Sequence, residues 1–332
     1  MSTVHLAEVC DEDGAFKMVA LKRLLPAVAA RKEMSQSFVH EASLMRHLHQ
    51  RNIPQTYETG EFDGVYFIAM EFVPGPTLKE LIEHCGQTIG TVPIEITLNL
   101  VAQICEALDH AHNQCDEHGK PLGIIHRDIS PGNLIVSESG LVKLIDFGLA
   151  KATISSVETG EGVIKGKFNY VAPEYLSGKL DARVDLWALG VVMYELLTSR
   201  RLFDGGDVFE TITRVRKLPI PRPSRANPRV PPNLDEIVMT ALERDPNRRW
   251  QTAADMREAL LGVIEAPGNN VDNPHVIDWV NWVFTQKPGT EASGVSKLIS
   301  LTTPAPIDEA GGGDGNREMG WLRRMFAPRT RR

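Results

Sequence analysis

Three side chains able to run phosphoryl transfer from a nucleotide stand within residues 124–148, IIHRDISPGNLIVSESGLVKLIDFG: Asp128, Asn133 and Asp146. A hard cation such as Mg2+ takes a few oxygen ligands from protein alongside substrate phosphate oxygens, and a carboxamide and a carboxylate can supply them. Asn133 and Asp146 are such a pair. Asp128, five residues before Asn133, is then left to accept a proton from an attacking hydroxyl. The elements between these residues must position them. Leu134-Ile135-Val136 and Leu141-Val142-Lys143-Leu144-Ile145 read as two short strands joined at residues 138–140. One hairpin therefore carries Asn133 at its start and Asp146 at its end, and His126-Arg127-Asp128 closes a loop after an apolar pair.

HRDISPGN and DFG resemble the catalytic-loop and metal-loop signatures of the protein kinase superfamily, in the manner of bacterial eukaryotic-like serine/threonine kinases. Either motif alone is weak. In order, with Asp146 eighteen residues after Asp128, the pair is specific. The resemblance implies an α+β, bilobal protein kinase fold, with a small antiparallel-sheet N-lobe carrying one helix and a larger, mainly helical C-lobe. It implies ATP between the lobes, Mg2+ on Asn133 and Asp146, and Asp128 as catalytic base.

Composition fits that expectation. A chain of 332 residues, 42% hydrophobic and 24% charged, has room for one two-lobed catalytic domain and extra tail. A formal charge of −7 argues against a general nucleic-acid binder. Cys10, Cys85, Cys105 and Cys115 lack metal-ligand or redox spacing, so free thiols in a reducing cytoplasm are expected. No apolar run approaches the roughly 20 residues that span a bilayer, and no secretory pattern opens the chain. A soluble, cytoplasmic protein is the resulting expectation.

Residues 4–9 and 16–22 alternate about a turn-like Asp11-Glu12-Asp13-Gly14, which predicts a two-stranded hairpin. The second strand ends Val19-Ala20-Leu21-Lys22, similar to the kinase VAIK strand, so the resemblance places Lys22 on the nucleotide phosphates. Phe38, Leu44, Met45 and Leu48 make an apolar stripe that predicts a helix over residues 32–49. Glu41 lies inside it, and by the same resemblance pairs with Lys22; Glu33 sits too near the helix start for that role. Aligning Val4 with the valine of the kinase pattern GxGxxGxV puts Ser2 at its third glycine, so the first strand and most of the phosphate-covering loop are missing from the sequence as it begins at Met1. Backbone donors from that loop would each contribute about 1.5–3 kcal/mol toward charged phosphate. A start misassigned downstream of the true one is the preferred account, and a degenerate kinase the other.

Residues 53–57 and 65–72 read as two further strands. The second runs into Val73-Pro74-Gly75 and resembles the hinge between kinase lobes, which implies Met70 behind the adenine and backbone groups of Glu71 and Val73 along its edge. Val4, Ala20 and Leu134 complete the implied nucleotide-binding set with Lys22, Asn133 and Asp146. Residues 77–85, with Thr77 as N-cap, and residues 95–112 read as amphipathic helices.

Two positions depart from the usual serine/threonine kinase pattern. Ser130 stands where a lysine is usual, and Lys167 where a threonine is usual in GKFNYVAPE, which otherwise resembles the end of a kinase activation segment. Read as an exchange, Lys167 brings its charge over Asp128 and the transferring phosphate; read as unrelated changes, Lys167 is solvated and Ser130 tolerated. Before this motif lies a loop-like stretch with Thr153, Ser155, Ser156 and Thr159. Arg127, assisted by Lys151, can receive phosphate added there, so autophosphorylation at one of these hydroxyls is expected.

Residues 182–198 are nearly continuously apolar, which predicts a buried helix. Asp185 inside it is implied to anchor catalytic-loop backbone, and Glu174 with Arg249 is implied to form a structural ion pair. Helices are expected near residues 208–216, 234–242 and 253–264, with a proline-rich connection at 219–232. After residue 265 the resemblance ends. A short helix within 269–284, a disordered linker over 287–317 and a frayed tail with five arginines follow; membrane-surface or acidic-partner contact is the tail's alternative role.

The expected organisation is an N-lobe at residues 1–73, a C-lobe at 74–265 and an extension at 266–332. The expected activity is transfer of the ATP γ-phosphoryl to protein serine or threonine, PGN after Ser130 being nearer the serine/threonine pattern. The alternative is a pseudokinase serving as a nucleotide-binding or scaffolding module.

Overall fold

The computed structural model describes residues 2–10, 16–25, 28, 32–147, 165–177, 180–265 and 271–287. Among them, strands β1 (Ser2–Cys10) and β2 (Phe16–Leu24) pair antiparallel, with Ser2 opposite Leu24 and Cys10 opposite Phe16. β4 (Val65–Glu71) pairs with β2, and β3 (Thr56–Phe62) with β4, giving the order β1-β2-β4-β3. Asp63 and Gly64, at φ 48° and 73°, make the two-residue turn between β3 and β4; both central positions take the left-handed backbone that suits the twist of a tight hairpin. Helix α1 (Lys32–Met45) packs Phe38, Ala42 and Met45 against Leu24, Ile68 and Met70 of the sheet, the small lobe's own core.

The strand expected over residues 53–57 starts later, at Thr56. Ile53 is buried in the larger lobe's core. Asn52 is committed there too: its side-chain nitrogen donates to Gln103 Oε1 and to the Val142 carbonyl, each at 2.8 Å, while Leu144 N donates to its carbonyl at 2.8 Å. The backbone leading into β3 is thus used in joining the lobes, and a register shift between Thr56 and Glu58 brings it into the sheet.

The larger lobe begins with α2 (Leu78–Gln87), capped by Thr77 and Glu80 bonding each other's backbone N–H. α3 (Ile94–His112) follows, then the short hairpin of β5 (Leu134–Val136) and β6 (Val142–Leu144). α4 (Arg183–Thr198) is buried on all sides, as its unbroken apolar sequence requires, with Leu186, Trp187, Leu189, Val191 and Val192 inaccessible to solvent. Around it lie α5 (Val208–Lys217), α6 (Pro232–Ala241) and α7 (Ala253–Ile264).

α8 (Asn273–Val283) docks on this lobe through Val276, Trp279, Val280 and Val283. His84 of α2 donates to the Val283 carbonyl at 2.8 Å, and Asn99 of α3 donates to the Val271 carbonyl at 2.7 Å. The turn of the β5–β6 hairpin lies close beneath it: Gly140, at φ 71°, has no room for a side chain, because a Cβ would sit 2.3 Å from the Asn273 carbonyl oxygen. The residues of the expected arginine-rich tail lie outside the described part of the chain. Among the described residues no helix is long and apolar enough to cross a membrane.

Candidate active site

Lys22 closes the inner half of β2, where alternation points it to the same side of the sheet as Ala20 and Leu24. Its ammonium lies 2.8 Å from Glu41 Oε1 of α1 and 3.2 Å from Asp146 Oδ1, just beyond β6. Burial pulls the Lys22 pKa down most strongly, but the charges and hydrogen bonds of Asp146 and Glu41 together outweigh it and hold the pKa above the ordinary lysine value. Lys22 is thus a firmly held cation that joins β2, α1 and the residues just beyond β6, and the expected Lys22–Glu41 pair is present.

Asn133 ends the 3-10 helix Pro131–Asn133 at the foot of β5. Its side-chain nitrogen donates to the Asp128 carbonyl at 2.8 Å and to Asp128 Oδ2 at 3.0 Å. That engages the nitrogen and leaves the amide oxygen as the atom a cation could take. Ile145 N donates to the Asn133 carbonyl at 3.0 Å, so Asn133 and Asp146 flank one backbone bond at the open end of the hairpin.

The catalytic-loop backbone is fixed from below. Asp185 of α4 accepts from His126 N and Arg127 N, both at 2.8 Å, and from His112 Nε2 at 2.9 Å. Burial by itself would raise the Asp185 pKa, but these donors and the nearby imidazoles outweigh it and keep the carboxyl below its usual range. Arg127 and Asp146 both adopt left-handed backbone, at φ 64° and 58°. For a residue like arginine that conformation costs on the order of 1 kcal/mol, and it persists only where the surroundings hold it. Asp185 supplies that hold at Arg127. His126 Nε2 donates to the Ile145 carbonyl at 3.1 Å, and His126 Nδ1 accepts from Asp128 N at 3.2 Å. One nitrogen donates and the other accepts, so the ring is neutral; complete burial pushes its pKa down, against the carboxylates around it. Phe147 packs on this ring with centroids 4.5 Å apart.

Of the expected nucleotide contacts, Met70 is buried directly opposite Ala20. Val73 is buried, and Glu71 ends β4. Val4 pairs with Lys22, and Leu6 pairs with Ala20. Opposed residues of an antiparallel pair share a face. Leu6, exposed, is therefore a second apolar side chain beside Val4 on the Ala20–Lys22 face, two residues along the strand. Leu134 needs correction: it is fully buried in the larger lobe's core and offers nothing to a ligand. Strand alternation instead turns the partly exposed Ile135 outward, on the face of its partner Lys143.

Farther down, Arg249 forks onto Glu174, with Nη1 at 2.7 Å from Oε1 and Nη2 at 3.1 Å from Oε2, and its Nη1 and Nε also donate to the carbonyls of Arg183 and Glu243. The expected pair is present and holds the segment that begins with the 3-10 helix Lys165–Tyr170. Between that segment and α5, Phe168, Val171, Pro173, Ile212, Val215 and Arg216 line a small apolar recess. Lys167 belongs to the 3-10 helix, but its side chain lies outside the described part, as do Thr153, Ser155, Ser156 and Thr159. Ser130 precedes Pro131, and its carbonyl accepts from Asn133 N at 3.0 Å.

A strand-rich lobe with one helix, a helical lobe around a buried helix, and a lysine–glutamate pair facing an aspartate across the cleft define a protein kinase fold. Residues 6–260 match the protein kinase domain family, and the chain belongs to it. It is 36% identical over 320 residues to the serine/threonine-protein kinase PknB of Mycolicibacterium smegmatis, covering 94% of this chain and 46% of that protein. It is 35% identical over 268 residues to the serine/threonine-protein kinase PrkC of Bacillus subtilis, covering 80% and 39%. It is also 35% identical over 303 residues to the tyrosine-protein kinase MasK of Myxococcus xanthus, covering 91% and 47%. The chain thus spans less than half the length of these relatives. Among solved structures, the PknI kinase domain of Mycobacterium tuberculosis superposes with a TM-score of 0.60 at 26% identity, covering 79% of this chain and 90% of that domain.

Proposed function

We propose that this chain transfers the γ-phosphoryl group of ATP to a serine or threonine hydroxyl of a protein. The observation that carries the reading is the meeting of Lys22, Glu41 and Asp146 within 3.2 Å, beside an Asp128 held by Asn133. The donor set fits a hard cation with nucleotide phosphates, since it offers an amide oxygen, a carboxylate and a held ammonium. Bound Mg2+ would neutralise developing phosphate charge. Lys22, oriented by Glu41, would hold the inner phosphates; Asp128 would accept the substrate hydroxyl's proton as that oxygen bonds to phosphorus and the bond to ADP breaks. Val4, Leu6, Ala20 and Ile135 would enclose the base, with Met70 behind it and the backbone of Glu71 and Val73 at its edge.

A protein substrate is favoured by the relatives named as protein kinases and by the Glu174 segment, which Arg249 anchors beside the site. The serine/threonine preference rests on PGN after Ser130 and on the relatives named as such, PrkC and PknB. Autophosphorylation at Thr153, Ser155, Ser156 or Thr159 belongs to the same proposal: among the described residues the buried Arg127 Nε has no hydrogen-bond partner and is a donor suited to phosphate. Lys167 would add charge near the transferring group. A reducing cytoplasm suits the free thiols of Cys85, Cys105 and Cys115.

The test is γ-phosphate transfer from Mg-ATP to a generic protein, with phosphoamino-acid analysis of the product. Asp128→Ala should lower the rate by about 10²- to 10⁴-fold without unfolding the chain. A folded wild type that binds nucleotide and transfers nothing would make the chain a binding module. Phosphotyrosine as the main product would overturn the serine/threonine preference.

A further inference from the structure

The side chain of Glu71, and not only its backbone, is engaged at the hinge. Lys143 Nζ lies 2.8 Å from each of its carboxylate oxygens. Gln55 N donates to Glu71 Oε2 at 3.1 Å, and Glu71 N returns a bond to the Gln55 carbonyl at 2.8 Å. Lys143 is the central residue of β6, with buried Val142 and Leu144 on either side, and its side chain is only 10% exposed. It stands three residues before Asp146.

Beyond the hinge a second tie exists. Val136 N of β5 donates to the Pro76 carbonyl at 2.9 Å, and Thr77 bridges to Ile135. Gly75, at φ 150°, presses so closely there that a Cβ would lie 1.9 Å from the Val136 oxygen. Residues 72–75 are therefore suspended between two anchors, Glu71 on Lys143 and Pro76 on Val136. Both anchors belong to the hairpin that carries Asn133 and Asp146.

Resting on the nucleotide-site reading above, we propose that Lys143 is a positioning residue for the nucleotide. Through Glu71 it fixes the hinge backbone that meets the base relative to the strand that delivers Asp146 to the phosphates. A base and a triphosphate joined through one ribose demand a set distance between their two subsites, and a hinge anchored on one side only would lose it. A partly buried ion pair adds little net stability once desolvation is counted, so stability alone does not account for this pair.

The experiment compares Lys143→Met, Lys143→Arg and Glu71→Gln with wild type, by calorimetric titration with adenosine and separately with Mg-tripolyphosphate, and by kcat and KM for ATP. Lys143→Met should weaken adenosine binding and raise the ATP KM by about tenfold, leaving tripolyphosphate binding and kcat within about threefold. Lys143→Arg should restore adenosine binding to within about threefold. Glu71→Gln, which keeps the acceptor for Gln55, should show the same selective loss and carries the test if Lys143→Met does not fold. Unchanged adenosine affinity in a folded variant, or equal loss of adenosine and tripolyphosphate, would overturn the proposal. A wild type that binds neither probe would overturn the nucleotide-site reading itself, a failure visible before any variant is made.

Discussion

Two carboxylate clusters flank the catalytic loop and are built on opposite plans. Above it, Lys22, Glu41 and Asp146 come from three separate elements and meet only through side chains; Asp146 is 39% exposed. Below it, Asp185 is 1% exposed and takes two backbone N–H groups and one imidazole. The upper set consists of charges with a solvent-facing member, which on the proposed function a phosphate would approach and partly replace. The lower set offers no place for a ligand, and breaking any of its bonds strands a buried polar group. Several charged side chains meet in the upper set, whereas the lower set surrounds one carboxylate with backbone N–H groups and an imidazole that keep the loop fixed.

Replacing each carboxylate by its amide breaks this comparison most directly. Asp185→Asn presents an NH2 to a buried N–H that needs an acceptor, and should cost about 2–3 kcal/mol in denaturant unfolding, with transfer activity falling alongside. Glu41→Gln keeps an oxygen for Lys22 Nζ, so unfolding free energy should change by less than about 1 kcal/mol. The ammonium is then held by one full charge instead of two, and kcat/KM for ATP should drop by about 10- to 100-fold. Equal stability losses from the two changes would show that both clusters are structural.

How much of this was legible in the sequence follows the same division. Lys22, Asp128, Asn133, Asp146, Glu174 and Arg249 were readable because each stands in a short motif, and Glu41 and Asp185, which lie within helices, only through the family resemblance that singled them out. The Thr77 cap and the buried α4 were readable from local chemistry. Leu6 was passed over because the kinase pattern singles out Val4 alone, although alternation puts Leu6 on the same face. That Leu134 is the buried member and Ile135 the partly exposed one was not readable, because a three-residue strand gives alternation too few positions to show its phase. Asn52 with Gln103, Asn52 with the Val142 carbonyl, and Lys143 with Glu71 were invisible, since each bond spans fifty to ninety positions and its polar side chains individually look solvated.

The smallest expected effect sharpens the contrast through pH. Tyr170 OH donates to Glu195 Oε2 at 2.8 Å, linking the end of the activation segment to α4. Burial, only partly offset by that bond, pushes the Glu195 pKa up from 4.5 to about 7. The folded state then binds the proton more tightly than the unfolded chain, so this group's contribution is greatest below pH 4.5 and is lost as pH rises to about 7. His126 runs the other way: its folded pKa is depressed below 6.5, so its contribution is present above pH 6.5 and is lost as pH falls. Glu195→Gln keeps an acceptor for Tyr170 and removes the ionisation. It should raise unfolding free energy at pH 8 by about 1–2 kcal/mol, change little at pH 5, and leave the acid-side loss from His126 in place. Stability profiles of wild type and Glu195→Gln that run parallel across pH 5–8 would mean that Glu195 does not take up a proton in that range, and that the end of the activation segment is held by the Tyr170 bond to a carboxylate rather than to an acid.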